Sequence, residues 1–304
     1  MKISVLLFCA GLFFYPAIGI SQNRANVVDT VKIDEIIVTG THVGVSRNSV
    51  PMAVSVIDRL QIEESGESAL LPVLNGKVPG LFVTERGITG FGVAEGSAGQ
   101  ISIRGMGGVP TTGVLMLIDG HPQFMGIMGH PLPDSYVASD AERVEVIRGP
   151  ASILYGSNAM GGVINIITKK QTSDGAEGNA RVSYGSFNTQ KYMASGGYKK
   201  NKFSVFASGN HDRTNGHRDY SDFNIKNGYI KLGYDVNHHF HLNTDLSLAG
   251  FKASDPGPDT INAKPGERID ITRDYWAFTL QNEFEKASGA LKAFYNFGEH
   301  NITD

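Results

Sequence analysis

His121, Met125, Met128 and His130 put two imidazoles and two thioethers into one short stretch, His121-Pro-Gln-Phe-Met-Gly-Ile-Met-Gly-His130. Imidazole and thioether together suit copper, and imidazole also ligates haem iron or zinc. The competing and blander reading is loop packing, because methionine fills irregular apolar gaps and His-Pro is common in turns. Arg104 and Arg148 are the other side chains singled out by position: each closes a strand-like run and stands before a glycine. Taken alone, each is an ordinary strand-end arginine. Catalytic constellations are missing: there is no Gly-x-Ser-x-Gly elbow and no His-Glu-x-x-His, and Glu63-Glu64 falls on the solvated face of a helical pattern. Without a nucleophile and base that can be paired, an enzyme is not expected. Gly90-x-Gly92-x-x-x-Gly96 misses the dinucleotide fingerprint by one residue and opens no helix, so no nucleotide and no cofactor is expected.

The elements that position these residues are short and glycine-punctuated. Arg143 to Arg148 alternates polar and apolar residues, as a half-buried strand does, and Gly149-Pro150 stops it. Ala151 to Tyr155 makes one helical turn closed by Gly156, and Gly161-Gly162 bends into the apolar strand Val163 to Ile167. Upstream, Met52 to Ile57 reads as a strand, Gln61 to Leu74 as a helix, and Leu81-Phe-Val83 as another strand. Ile101 to Arg104 alternates into Gly105, and Val114 to Ile118 ends in the tight-turn pair Asp119-Gly120. Arg86 to Gln100 and His121 to Pro133 are too rich in glycine or proline for regular elements.

Composition sets the wider frame. The chain has 304 residues, of which 37 are glycine, and a formal net charge of −3, which argues against a nucleic-acid partner. After residue 20 no apolar run reaches the roughly 18 to 20 residues of a membrane helix. Met1 to Ser21 has a basic start, a short apolar core from Ile3 to Tyr15 and small residues before Gln22, the pattern of a cleaved secretory signal. The sole cysteine, Cys9, lies inside that core, so disulfides and thiol catalysis are not expected afterwards.

Three motifs in order, Ile101-Ser-Ile-Arg-Gly105, Val114-Leu-Met-Leu-Ile-Asp-Gly120 and Glu142 to Lys170, resemble the plug domain of TonB-dependent outer-membrane receptors. The resemblance implies an α+β plug followed by an antiparallel transmembrane β-barrel. The boundaries expected are a signal at 1–21, a TonB-box region and linker at 22–40, the plug at 41–170, a linker at 171–178 and barrel strands from 179 to 304. It also implies that Asp34, Glu35, Ile36, Ile37, Val38 and Thr39 contact periplasmic TonB by adding a strand to its sheet. The same segment also reads as the first plug strand, with Val28 to Val31 a competing box. Arg104 and Arg148 match arginines that pair with barrel glutamates and latch plug to wall. Ligand contact is expected from two apical loops, through Arg86, Phe91, Glu95, His121, Phe124, Met125, Met128 and His130.

After Lys170 the sequence becomes a succession of alternating segments. Phe240, Leu242, Thr244, Leu246 and Leu248 would face lipid, with His239, His241, Asn243, Asp245 and Ser247 on the other side. Trp276, Phe278, Leu280 and Phe284 repeat the pattern against Ala277, Thr279, Gln281 and Glu283, as outer-membrane strands do. About seven strands are expected, near 180–187, 191–198, 203–212, 227–236, 239–251, 275–285 and 290–298. The short turns at Lys200-Asn201 and Asn237-His238 would be periplasmic, and the longer Thr214 to Ile225 and Ala253 to Thr272 extracellular. Seven strands fall short of the family's twenty-two and cannot enclose such a plug. The expectation is therefore the N-terminal part of a receptor, not transport-competent alone. The intact receptor would capture an iron-siderophore, haem, cobalamin or a metal at the outer membrane, with TonB and lipid as partners. The rival classes are a passive adhesin or structural barrel, and a periplasmic plug fragment that binds TonB.

Overall fold

The computed structural model describes residues 36–37, 45–46, 51–85, 90–91, 99–108, 113–123, 131–255, 268–285 and 287–303. No helix among them is long and apolar enough to cross a membrane. The first strands, β1 (Ile36–Ile37) and β2 (Val45–Ser46), form an antiparallel ladder.

The plug is built around a mixed five-stranded sheet. Its strands are β3 (Val54–Asp58), β9 (Ala141–Arg148), β10 (Gly162–Thr168), β7 (Val114–Ile118) and β8 (His121–Pro122), in that spatial order. β10 runs parallel to β7, while the other pairs are antiparallel. A smaller sheet joins β4 (Leu81–Val83), β5 (Ile101–Ile103) and β6 (Met106–Gly107). β7 is buried at every position, as its unbroken apolar run requires.

The helix expected over Gln61 to Leu74 is two helices, α1 (Arg59–Glu64) and α2 (Leu70–Asn75). Gly66 breaks them with φ +70, a backbone angle that a helix cannot hold. α1 starts on a capping box in which Asp58 accepts from the Gln61 amide and the Gln61 side chain accepts from the Asp58 amide. α2 buries Leu70, Leu71, Val73 and Leu74. α3 (Ser152–Tyr155) is the single turn expected, closed by Gly156 at φ +86.

The remaining chain is a seven-stranded antiparallel meander. Its strands are β11 (Gly175–Gly185), β12 (Thr189–Lys200), β13 (Phe203–Thr214), β14 (Phe223–Asp235), β15 (Phe240–Ser254), β16 (Arg268–Glu283) and β17 (Ser288–Thr303). All seven expected strands are present, several longer than their alternation showed. Phe187 is an exception, because it lies in a turn at φ +58 beside Asn188 at +54. Two consecutive positive angles match the twist of a tight hairpin, and that demand outweighs the strand preference of phenylalanine.

The two faces of the meander differ as the alternation requires. Val182, Tyr184, Ile230, Leu232, Tyr234, Leu248, Trp276, Leu291 and Tyr295 point away from the plug and are exposed. The opposite positions carry Asn210, Tyr229, Lys231, Asp245 and Tyr275, all buried. The largest hydrophobic cluster runs across both parts, joining Leu70, Val144 and Ile164 of the plug to Phe206, Tyr229, Tyr275 and Ala277 of the wall. A separate cluster seats Leu132 among Phe223, Ile225, Phe251 and Ile271.

Candidate functional site

The turn between β7 and β8 carries a group of hydrogen bonds from plug to wall. Asp119 and Gly120 take φ +47 and +79, so the turn folds tightly and aims the Asp119 carboxylate at the end of β10. That carboxylate accepts from the Thr168 amide (3.0 Å) and hydroxyl (2.6 Å). It also accepts from the Lys231 ammonium of β14 at 2.7 Å. Tyr229 donates to the Thr168 hydroxyl at 3.0 Å, and the Asn165 side chain accepts from the Gly120 amide at 3.0 Å. From β17, Lys292 donates to the Asp119 carbonyl and Asn296 to the Pro122 carbonyl at 3.1 Å. Burial works against the charge on Asp119, but Lys231 and the Thr168 donors outweigh it and hold the carboxyl below its ordinary value.

His121, expected in an open loop, is a β8 residue buried against the wall. Its ring lies 5.1 Å from Tyr275 and 5.5 Å from Phe294, stacked on the latter. Nε2 is buried with no hydrogen-bond partner among the described residues. Burial lowers its pKa to about 4, with Asp119 opposing and Lys292 and Lys231 assisting, so the ring is neutral at physiological pH. Phe124, Met125, Met128 and His130 lie outside the described residues, and no cluster of three His, Cys, Asp or Glu able to hold a metal occurs among the described ones.

Further contacts join the parts. Asp140 accepts from Ser139 at 2.9 Å and from wall Ser208, while Asn210 donates to Ser139 at 2.8 Å. Burial raises the Asp140 carboxyl to about 6 against those donors and Lys169. On the α1–α2 connection, Glu67 holds Lys191 at 3.3 Å, and its carbonyl accepts from Arg181 at 2.9 Å.

The expected arginines come together. Arg104 is exposed at φ +53, with its amide donating to the Gly80 carbonyl at 2.7 Å. Its guanidinium reaches to the side of Gly149, one residue beyond Arg148. Arg148 ends β9 half-buried, and its Nε is shielded from solvent without a partner. Phe91 is buried, its amide donating to Asp134 at 2.9 Å. Arg86, Glu95, Asp34, Glu35, Val38 and Thr39 lie outside the described residues, and only Ile36 and Ile37 of the expected TonB segment are placed, in the β1 ladder.

Comparison with known proteins decides the family. Residues 46–163 match the model of the TonB-dependent receptor plug domain. This stretch of the chain is a TonB-dependent receptor plug domain. The vitamin B12 transporter BtuB of Vibrio vulnificus is 32% identical over 213 residues, covering 66% of this chain and 30% of that protein. The iron-regulated outer membrane virulence protein of Vibrio cholerae is 37% identical over 166 residues, covering 51% of this chain and 23% of the other. The alcaligin outer-membrane receptor FauA of Bordetella pertussis superposes with a TM-score of 0.70 at 18% identity, over 88% of this chain and 43% of that one. The plug and the seven-stranded sheet thus share the fold of these receptors, and this chain spans less than half the length of each relative named.

The wall contacts were beyond sequence reasoning. Lys231 stands 112 residues from Asp119. The available signal was a lysine at an inward-facing position of β14, beside Tyr229.

Proposed function

We propose that the intact receptor captures a scarce metal-bearing nutrient at the outer membrane, with cobalamin and ferric siderophores as the leading candidates, and imports it by TonB-driven displacement of the plug. The observation that carries this reading is the plug itself, docked by Asp119, Thr168 and Asp140 on the polar face of strands whose other face is apolar. Such a plug closes an aqueous lumen, and import requires that it move. The relatives' names favour cobalamin and iron compounds over other cargo.

In this reading residues 1–21 are a cleaved export signal, and Asp34 to Thr39 present an extended edge to TonB. The β1–β2 ladder occupies one edge of Ile36–Ile37 and leaves the other for strand addition. Arg104 and Arg148 form half of a latch completed by acidic residues of the wall, as the unpartnered Arg148 Nε suggests. Nothing is chemically converted.

The test is uptake of labelled cyanocobalamin and of ferric siderophores by cells carrying the full-length receptor, with and without TonB and with an Ile36→Pro variant. Accumulation abolished by loss of TonB and strongly reduced by Ile36→Pro is expected. Accumulation indifferent to TonB would return the protein to the passive-barrel class.

A further inference from the structure

Two cavities lie between plug and wall, and they meet at one residue. The first, about 120 Å³, is lined by Glu67, Asp134, Lys191, Asp212 and Phe223. The second, about 270 Å³, is lined by Glu63, Glu67, Lys169, Arg181, Met193 and Ser195. Along β12 the inward positions Lys191, Met193 and Ser195 follow in steps of two, the first lining one cavity and the others the next. The cavities are therefore stacked along the strands, with the end of β13 that carries Asp212 beside the first and the middle of β11 and β12 beside the second. Each is large enough for several waters and has the polar lining that holds them.

Glu67, on the α1–α2 connection, lines both. Its carboxylate meets Lys191 of β12, and its carbonyl meets Arg181 of β11, so both anchors are on the wall. The plug holds the connection through the Ser68 carbonyl, which accepts from the Ala138 amide at 2.8 Å. Gly66, just before Glu67, takes φ +70 with open space where a Cβ would stand. Of the charged groups lining the two cavities, Glu63, Glu67, Glu85, Asp134 and Asp212 outnumber Lys169, Lys191 and Arg181.

We infer that these cavities are two halves of a cation-favouring aqueous passage between plug and strands β11 to β14, shut by the Glu67–Lys191 contact. The inference rests on the reading of the chain as part of a closed, lumen-bearing receptor. Glu67 acts as the gate residue: with it in place the passage is interrupted, and with it withdrawn small cations pass while the plug stays docked at Asp119.

The experiment is conductance of the full-length receptor in planar bilayers of neutral lipid with potassium chloride as the probe. It compares wild type, Glu67→Gln, Lys191→Gln and the charge swap Glu67→Lys with Lys191→Glu. The wild type should be quiet. Each single variant should raise open probability about threefold, the order expected from loss of a partly exposed ion pair, with currents selective for potassium over chloride. The swap should restore closure. Single variants as quiet as wild type, chloride-selective currents, or a swap that stays open would each overturn the gate. TonB-dependent uptake by the same proteins separates the two readings: uptake intact with quiet variants removes the gate alone, whereas TonB-independent wild-type uptake removes the receptor reading beneath it.

Discussion

Lys231 is held between two carboxylates: plug Asp119 at 2.7 Å, and Asp245, which stands opposite it in the β14–β15 register. This makes the two halves of the ion pair unequal under mutation. In Asp119→Asn the ammonium loses its plug partner but keeps Asp245, and the amide still accepts from Thr168. In Lys231→Met the two carboxylates lose the cation between them and keep only the weaker influence of Lys292. Removing one partner of a fully buried pair costs about 3 to 5 kcal/mol. Here Lys231 is 10% exposed and Asp119 22%, so Lys231→Met should cost about 3 kcal/mol and Asp119→Asn about 1 to 2 kcal/mol. The double variant should cost less than the sum by at least about 1 kcal/mol, because the two residues share one contact. Plug release in urea, followed by protease accessibility of the plug in the purified full-length receptor, reports these differences as midpoint shifts. A coupling of zero, or Asp119→Asn as damaging as Lys231→Met, would refute the three-charge account of the anchor.

Other outcomes follow from the same packing. His121, lowered to about 4, is neutral when folded, so its contribution to stability is complete above pH 6.5 and is lost as pH falls from there toward 4. Asp140, raised to about 6, acts oppositely: its contribution is complete below its ordinary 3.8 and is lost as pH rises toward 6. The two act in opposite directions between pH 4 and 6. Relative to wild type, His121→Phe, which keeps the ring, should make the plug more stable toward acid, and Asp140→Asn less, by up to about 3 kcal/mol each; a variant profile that runs parallel to wild type would sink the assignment. Gly162→Ala should release the plug at markedly lower urea, by about 2 kcal/mol or more, because φ is +156 and an added Cβ strikes the Ile147 carbonyl. Phe187→Asn should raise the thermal stability of the β11–β12 hairpin by about 1 kcal/mol, since asparagine tolerates the φ of +58 that phenylalanine resists; a loss of stability would show that the Phe187 ring is anchored elsewhere.

How much of this was written legibly in the sequence depended on range. Strands β11 to β17 were readable because alternation is a property of neighbouring residues, and lipid on one side with polar groups on the other enforces it. The Asp119-Gly120 turn was readable for the same reason. The single helix expected from Gln61 to Leu74 ignored Gly66, whose cost inside a helix the apolar spacing on either side did not reveal. The anchor was illegible because its partners come from β7, β10, β14 and β17. Alternation says that Lys231 points inward, but not which plug atom it meets. His121 was attractive as a ligand by residue type, and only the packing of Tyr275 and Phe294 shows its ring sealed against the wall.

The hydrophobic cluster that runs from Leu70 and Ile164 into Phe206, Tyr229 and Tyr275 bears on how the protein is made. A plug without those three wall aromatics would leave part of this cluster open to water. Its interior is completed only when β13, β14 and β16 are in place, so the plug and these strands reach their final packing together.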